Sequence, residues 1–490
     1  MKKAHSLVLA LAVLALTQSL VGQDAKAVVA AASKAMGVDA LNSIHYYGVA
    51  QNGNLGQNNN ANQPWPMANA NDYVRAIDFT QPASRAAWTN FAVPVTGGAA
   101  APSPGQQLIP ANAAGALQVE IWVTPWGFLK GAAANKATVR TQTMNGKRYQ
   151  EVTFNPPSIK SPGGLPYKVV GYINGENMVE RVQTWVENPV FGDLLVDTEY
   201  SNYREGANGL KFPAQIVQTR GGWPIFRAYI LGANPNPANL TALMTPPAAA
   251  APAAPAAAAP GPTSEKLAEG VWRINGAYNA LAIEFSDHSL IFEPGPQGTT
   301  ADPEGRAKAI IAETKKVISN KPIRYGVVSH HHFDHTGGIS AVVGEGMTIV
   351  TPAVNKAFLM NALSAPRTLF PDSIAKTGRK PVVDGFTGDK KVFQDSLRTF
   401  ELHVVKGLPH ADGNVIGYLP KEKILVYADM FNLPTAATGP VPNPPVVGTM
   451  VFLDNIERLK LDVERIMSVH SLNPDRLTSV ADIKASLGRR

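Results

Sequence analysis

The chain has 490 residues, 45% of them hydrophobic and 17% charged, with a formal net charge of +7. That length exceeds what one ordinary core serves, so two domains are expected, and the composition excludes a disordered chain. The basic residues are scattered without a long Lys/Arg block, so nothing demands nucleic acid as a partner, and a small-molecule substrate is the simpler expectation. The chain has no cysteine, which excludes disulfides and thiolate ligands and leaves His, Asp and Glu for any metal site.

In chain order, residues 1–23 have the pattern of an export signal. Lys2 and Lys3 precede a mostly apolar run over residues 7–16. That run falls short of the roughly 20 apolar residues that span a bilayer. Small residues follow, and cleavage is expected between Gly22 and Ala27. The mature protein is then periplasmic or secreted, with no transmembrane segment once the signal is removed.

Residues 27–240 are predicted to form a β-rich N-terminal domain. Residues 179–187, 195–203 and 212–218 alternate apolar and polar β-formers. Asn145-Gly146, Asn174-Gly175 and Asn208-Gly209 stand where hairpin turns are needed. Two stretches are expected to be loops, an Asn/Gln-rich one over residues 51–63 and a Gly/Ala/Pro one over 97–115. A curved antiparallel sheet follows, and this pattern resembles the half-barrel of periplasmic lipoprotein carriers. Residues 246–262 contain only Ala, Pro and Gly, so they are taken as a semi-rigid interdomain linker.

Residues 263–490 alternate strands and helices, the pattern of a layered α/β domain. Residues 280–285 and 289–292 are predicted as paired strands. A helix follows Asp302-Pro303, with Ala307, Ile310, Ile311, Thr314 and Ile318 on one face. Residues 324–329 form the next strand, 416–419 and 424–427 another pair, and helices are expected over 454–465 and 475–487.

The chemistry is concentrated after Ser329, in the run His330-His331-His332-Phe333-Asp334-His335. Four histidines and an aspartate within six positions make a costly cluster for a core. Alternate residues of an extended segment point the same way, so His330 and His332 can reach one ion. Asp334 and His335 lie past the bend and can face a second. Imidazole and carboxylate are the ligands zinc accepts when thiolate is absent.

The run matches the H-x-H-x-D-H signature and so resembles the metallo-β-lactamase-fold superfamily. Later segments fit the same family in order: residues 407–414 around His410, residues 424–429 ending in Asp429, and residues 466–470 ending in His470. The resemblance covers about residues 263–490 and implies an αββα sandwich with two metal ions at one edge of the sheets. Carried over position by position, it implies that His330, His332 and His410 hold the first metal. Asp334, His335 and His470 hold the second, and Asp429 touches both. Two positions depart from the family: Ser471 stands where glycine is usual and Glu293 where aspartate is usual. His331 alternates away from its neighbours and is expected to pack or support, while His45, His288 and His403 are expected to be structural or surface residues.

Two cations sharing a water lower its pKa from roughly 16 toward roughly 7. The expected function is therefore an exported hydrolase with two zinc ions, other divalent metals being possible. Its metal-bound hydroxide would attack an ester, lactone, thioester or phosphodiester, with Asp334 orienting the nucleophile and accepting its proton. Within the resemblance, Asp429 favours the broader hydrolase branch over the β-lactamases, and His332 argues against the di-iron flavoprotein branch, which has glutamate there. Two alternatives stay open: β-lactam hydrolysis, and a binding or accessory protein whose N-terminal sheet holds an apolar ligand or partner. Substrate specificity is expected to come from loops such as residues 431–451.

Overall fold

The computed structural model describes residues 24–91, 102–156, 158–247, 261–276, 278–430, 445–472 and 475–489. The expected export signal, most of the expected linker, and residues 431–444 of the expected specificity loop lie outside the described residues.

The N-terminal part is built on an eleven-stranded sheet in which every pairing is antiparallel. Its first strand, Ser43–Gly53, pairs with its last, Trp223–Pro235, so neither is an edge. The expected strands are present as Val179–Asn188, Gly192–Glu205 and Lys211–Arg220. Asn145 and Gly146 both have positive φ and close the two-residue hairpin between Thr138–Met144 and Lys147–Phe154. Asn208 and Gly209 also have positive φ, but at Asn174-Gly175 the left-handed residue is Asn177, and neither of these two connections is a two-residue hairpin.

One face of this sheet is closed by helices. Asp24 caps Ala25–Met36 by accepting from Lys26 N–H, and Thr124 caps Pro125–Ala134 by accepting from Gly127 N–H. Met36, Trp126, Phe128 and Leu129 from these helices join Ile44, Tyr46, Val169 and Val182 from the strands in one core. The second helix lies close enough that a Cβ on Gly171 would stand 2.2 Å from the Phe128 ring, so glycine is required there. The Gly/Ala/Pro stretch is not all loop. Ser103–Ile109 is an edge strand, where Pro104 lacks an N–H but costs the sheet little.

The C-terminal part holds a seven-stranded and a five-stranded sheet. In the first, Ser289–Phe292, Ile323–Val327, Thr348–Pro352 and Val383–Phe386 run parallel. In the second, Ile424–Tyr427 and Arg465–Ser468 run parallel. The two sheets share a core in which Leu281, Phe292, Val327 and Val350 meet Phe400, Val415, Val426 and Met467. Helices Gly305–Val317, Ile339–Glu345 and Ala353–Ser364 contribute to a second core with the seven-stranded sheet. Val447–Leu459 and Val480–Ser486 contribute to a third with the five-stranded sheet.

Two helices differ from expectation in their bounds. The helix expected over 454–465 begins earlier and stops at Leu459, because Lys460 adopts a left-handed conformation and the chain then enters a strand. The helix expected over 475–487 begins only at Val480, where Ser479 and Asp482 form a capping box. Asp475 instead accepts from the side-chain amide of Asn279 at 3.3 Å.

The two parts are joined by buried contacts. Trp65 and Phe191 of the N-terminal part meet Phe333 and Phe358 of the C-terminal part edge to face, with ring centroids 5.5 to 6.2 Å apart. The buried Arg367 guanidinium donates to Asp372 at 2.5 Å, to the carbonyls of Pro189 and Val190 at 3.2 and 2.7 Å, and to that of Ala362 at 3.1 Å. Asp193 accepts from the backbone N–H groups of Thr368 and Leu369 at 2.9 Å each. Among the described residues, no helix is long and apolar enough to cross a membrane. Removing the guanidinium takes the cation from buried Asp372, which keeps only the N–H groups of Ile374 and Ala375, and a donor from three carbonyls, so Arg367→Ala should lower unfolding free energy by about 3–5 kcal/mol. Chemical denaturation measures this, and a loss below about 1 kcal/mol, the level of an exposed ion pair, would show that the contact is peripheral.

Candidate metal centre

Parallel pairing decides where the candidate residues gather. Ser289–Phe292 and Ile323–Val327 run side by side in the seven-stranded sheet, and Ile424–Tyr427 and Arg465–Ser468 do so in the five-stranded sheet. Their C-terminal ends therefore deliver Glu293, His330, Asp429 and His470 to one edge of the two sheets. His410 comes from the connection between Thr399–Val404 and Val415–Leu419. Asp334 and His335 sit in the short helix Phe333–Thr336. A backbone bridge between Tyr278 and His470 ties the two sheets together at this edge.

All seven residues singled out from the sequence meet here, in two groups. His330, His332, His410 and Asp429 offer ligand atoms within 4.8 Å of one another, and so do Asp334, His335, Asp429 and His470. Asp429 is common to both. Its Oδ2 lies 3.5 Å from His330 Nε2 and 3.1 Å from both His335 Nε2 and His410 Nε2. Its Oδ1 contacts His470 Nε2.

Hydrogen bonds around the groups determine which ring nitrogens are free. His332 Nε2 lies 2.9 Å from the carbonyl oxygen of Asn58, which only accepts, so Nε2 carries the hydrogen and Nδ1 keeps its lone pair. His335 Nδ1 lies 2.8 Å from Glu293 Oε2, which directs Nε2 to Asp429 and Asp334. His330 Nε2, His332 Nδ1, His410 Nε2 and Asp429 Oδ1 are buried without a hydrogen-bond partner. Unpaired buried polar atoms are costly, and four converging ones fit a cation.

The electrostatics agree. Burial is the main cause that lowers His332 to about 3 and His331 to about 4, and it also drives His330 well below the usual imidazole range. These rings are neutral, the form a metal accepts. Burial opposes ionisation of Asp334 and Asp429, but the surrounding imidazoles outweigh it and hold both carboxyls well below their usual range. Burial also opposes a proton on His335, but Glu293 and Asp429 outweigh it, so this imidazole is held up. A divalent cation beside Nε2 is the alternative to that proton. The donor set of five imidazoles and two carboxylates fits zinc without strain on its preferences.

Several functional residues were not identified from the sequence. Tyr278 donates its hydroxyl to Asp334 Oδ2 at 3.1 Å and lays its ring 4.6 Å from that of His470. Gln57 donates to Asp334 Oδ1 at 2.9 Å. Nothing local distinguishes these residues, since their partners lie 56 and 277 positions away. Glu293, noted only as a departure from the family, accepts from Ser329 N–H at 2.7 Å as well as facing His335. His331 is a supporting residue, its Nε2 3.0 Å from Asn58 Oδ1. His403 pairs with Glu401, His288 with Asp287, and His45 stacks near Tyr47, all outside the two groups.

A carboxylate behind a ligating imidazole fixes its tautomer and typically changes metal affinity about 10- to 100-fold. Glu293→Gln should therefore weaken the His335-containing site by about that factor, measured by chelator competition. The amide presents an NH2 to one of two donors that the carboxylate satisfied. Unchanged affinity would remove Glu293 from the centre.

Residues 273–468 match the model of the metallo-beta-lactamase superfamily. Similar solved structures include a metallo-beta-lactamase from Pontibacter korlensis, 16% identical, covering 46% of this chain and 97% of that one with a TM-score of 0.33. A metallo beta lactamase from Hirschia baltica is 18% identical, covering 46% and 96% with a TM-score of 0.33. The rubredoxin oxygen:oxidoreductase from the anaerobe Desulfovibrio gigas is 15% identical, covering 46% and 61% with a TM-score of 0.32. No curated protein matches the chain. The H-x-H-x-D-H run gathered at one sheet edge lies within the stretch, residues 273–468, that matches the metallo-beta-lactamase superfamily.

Proposed function

We propose that the protein is an exported hydrolase with two metal ions, most simply zinc, acting on an ester, lactone, thioester or phosphodiester. The observation that carries this reading is the pair of His/Asp groups sharing Asp429, with buried lone pairs converging in the His330/His332/His410 group. In this reading His330, His332 and His410 hold one ion, Asp334, His335 and His470 hold the other, and Asp429 contacts both. The two facing sheets and their outer helices are read as an αββα sandwich over residues 263–490. Residues 27–240 are read as the N-terminal domain and residues 246–262 as the linker. Residues 1–23 are read as a signal that sends the chain to the periplasm or beyond.

When bound, two adjacent divalent cations supply a water of near-neutral pKa and positive charge for the developing anion. The remaining work belongs to side chains. Asp334 is partly exposed, its side chain 31% accessible, so it can meet a substrate-side water while its neighbour His335 is buried. Tyr278 and Gln57 each donate to one of its oxygens and fix its plane. Burial and the Asp334 carboxylate raise the Tyr278 phenol, so this group stays a donor at neutral pH. Asp334 is thereby placed to orient the attacking water and accept its proton.

Protein purified without chelator and reconstituted with zinc should hold about two equivalents per chain. Less than about half an equivalent would contradict the reading. Asp429→Ala should deplete both sites together and reduce hydrolysis by at least about a hundredfold. A substrate panel then separates the alternatives. Aryl ester, lactone, thioester and aryl phosphodiester are expected to exceed a β-lactam reporter in kcat/KM. A β-lactam value equal to theirs would favour antibiotic hydrolysis, and no turnover by fully loaded protein would favour a binding role.

A further inference from the structure

Residues 54–66 of the N-terminal part connect the strands Ser43–Gly53 and Met67–Asp78. A hairpin connection needs far fewer residues. The excess crosses onto the metal centre. Gly56 O accepts from Phe333 N–H at 3.3 Å, and Asn59 donates its side-chain amide to Pro409 O at 2.8 Å. Asn59 O accepts from Asp412 N–H at 2.6 Å, and Asn60 donates to the Asp412 carboxylate at 3.0 Å. The loop thus grips both chain segments that carry the histidines of the first group.

Asn58 is the centre of this grip and is 1% exposed. Its amide nitrogen donates to Asn60 O at 2.6 Å and Gln63 O at 2.8 Å. Both partners are acceptors, so the amide orientation is fixed and Oδ1 must face His331 Nε2, 3.0 Å away. The same residue's carbonyl holds His332 Nε2. One step earlier, Gln57 reaches Asp334. Two consecutive residues therefore address the two groups separately. The approach is tight: Gly56 has φ +79°, and a Cβ there would lie 2.2 Å from the Phe333 ring.

We propose that residues 54–66 are a structural part of the metal centre, with Asn58 the positioning residue for the His330/His332/His410 site and Gln57 the positioning residue for the site that contains Asp334. The proposal rests on the dinuclear reading above. Asn58 presents the Nδ1 lone pair of His332 by anchoring its other nitrogen, and Gln57 sets the plane of the Asp334 carboxylate. The N-terminal part is then needed for metal binding itself. A C-terminal fragment beginning near Thr263, which lacks the loop, holds its first metal weakly.

The test titrates metal-free full-length protein with cobalt(II), following its visible absorption, and measures zinc affinities by chelator competition. Wild type, Asn58→Ala and Gln57→Ala are compared, with thermal unfolding of each metal-free protein as a folding check. Asn58→Ala keeps the carbonyl that holds His332 but loses the side-chain bonds that fix its position, so it should weaken the first site by about 10-fold and perturb its cobalt spectrum, leaving the second site near wild type. Gln57→Ala should show the reverse pattern. Should Asn58→Ala fail to fold, Asn58→Asp carries the test, because it keeps an acceptor for His331 but loses both donors to the loop carbonyls. Folded Asn58 variants with both affinities and spectra unchanged would overturn the proposal while leaving the dinuclear reading intact. A wild-type protein that binds no metal would overturn both.

Discussion

One carboxylate organises this molecule's chemistry. Asp429 stands among four imidazoles, with His330, His335 and His410 near one oxygen and His470 on the other. A buried carboxylate in that position needs positive charge, and the neutral rings that burial enforces on His330 and His332 do not supply it. Cations between the carboxylate and the rings satisfy both demands. The fold serves this arrangement at some conformational cost. Asp429 and Glu293 both end strands in the left-handed region, at φ 54° and 64°. Aspartate tolerates that conformation better than glutamate does, and such residues cost of order 1–3 kcal/mol each. Each turns its carboxylate back toward the sheet edge, Asp429 into the shared position and Glu293 onto His335.

The second constraint is that the edge cannot be shaped by the C-terminal half alone. The strand ends fix the backbone, but ring orientation depends on what lies behind each ring. For His335 that is Glu293 from the neighbouring strand, and for His332 it is a carbonyl from the other half of the chain. The large antiparallel sheet gives this carbonyl a rigid base, since the loop leaves two central strands rather than an edge. The edge-on rings of Trp65, Phe191, Phe333 and Phe358 and the buried Arg367 then hold that base against the half that carries the His/Asp groups.

The seven candidate ligands could be picked out in the sequence because four sit within six positions and the other three end or connect strands whose patterns are clear. Their grouping required only the parallel pairing of short apolar strands. The supporting shell was not legible. Gln57 and Asn58 lie in a polar stretch that local chemistry assigns to a loop, and it is one; what local chemistry lacks is its partners, 273 to 277 positions distant. Helix ends misled for a related reason. Lys460 and Asp475 are ordinary helix formers or caps by type, yet one takes a left-handed turn into a strand and the other meets Asn279 across the fold. The edge strand Ser103–Ile109 was hidden by Pro104 and Gly105, residues that an edge position tolerates.

The proposed sharing of this carboxylate is tested most directly by the distance between the two ions it would join. X-ray absorption at the zinc edge of fully loaded protein should show imidazole-dominated scattering and a metal–metal vector of about 3.5–4 Å. That vector should be lost from whatever zinc Asp429→Ala retains. Two equivalents of zinc in the native protein without any metal–metal scattering in that range would contradict the account, because the ions would then occupy sites that Asp429 does not join.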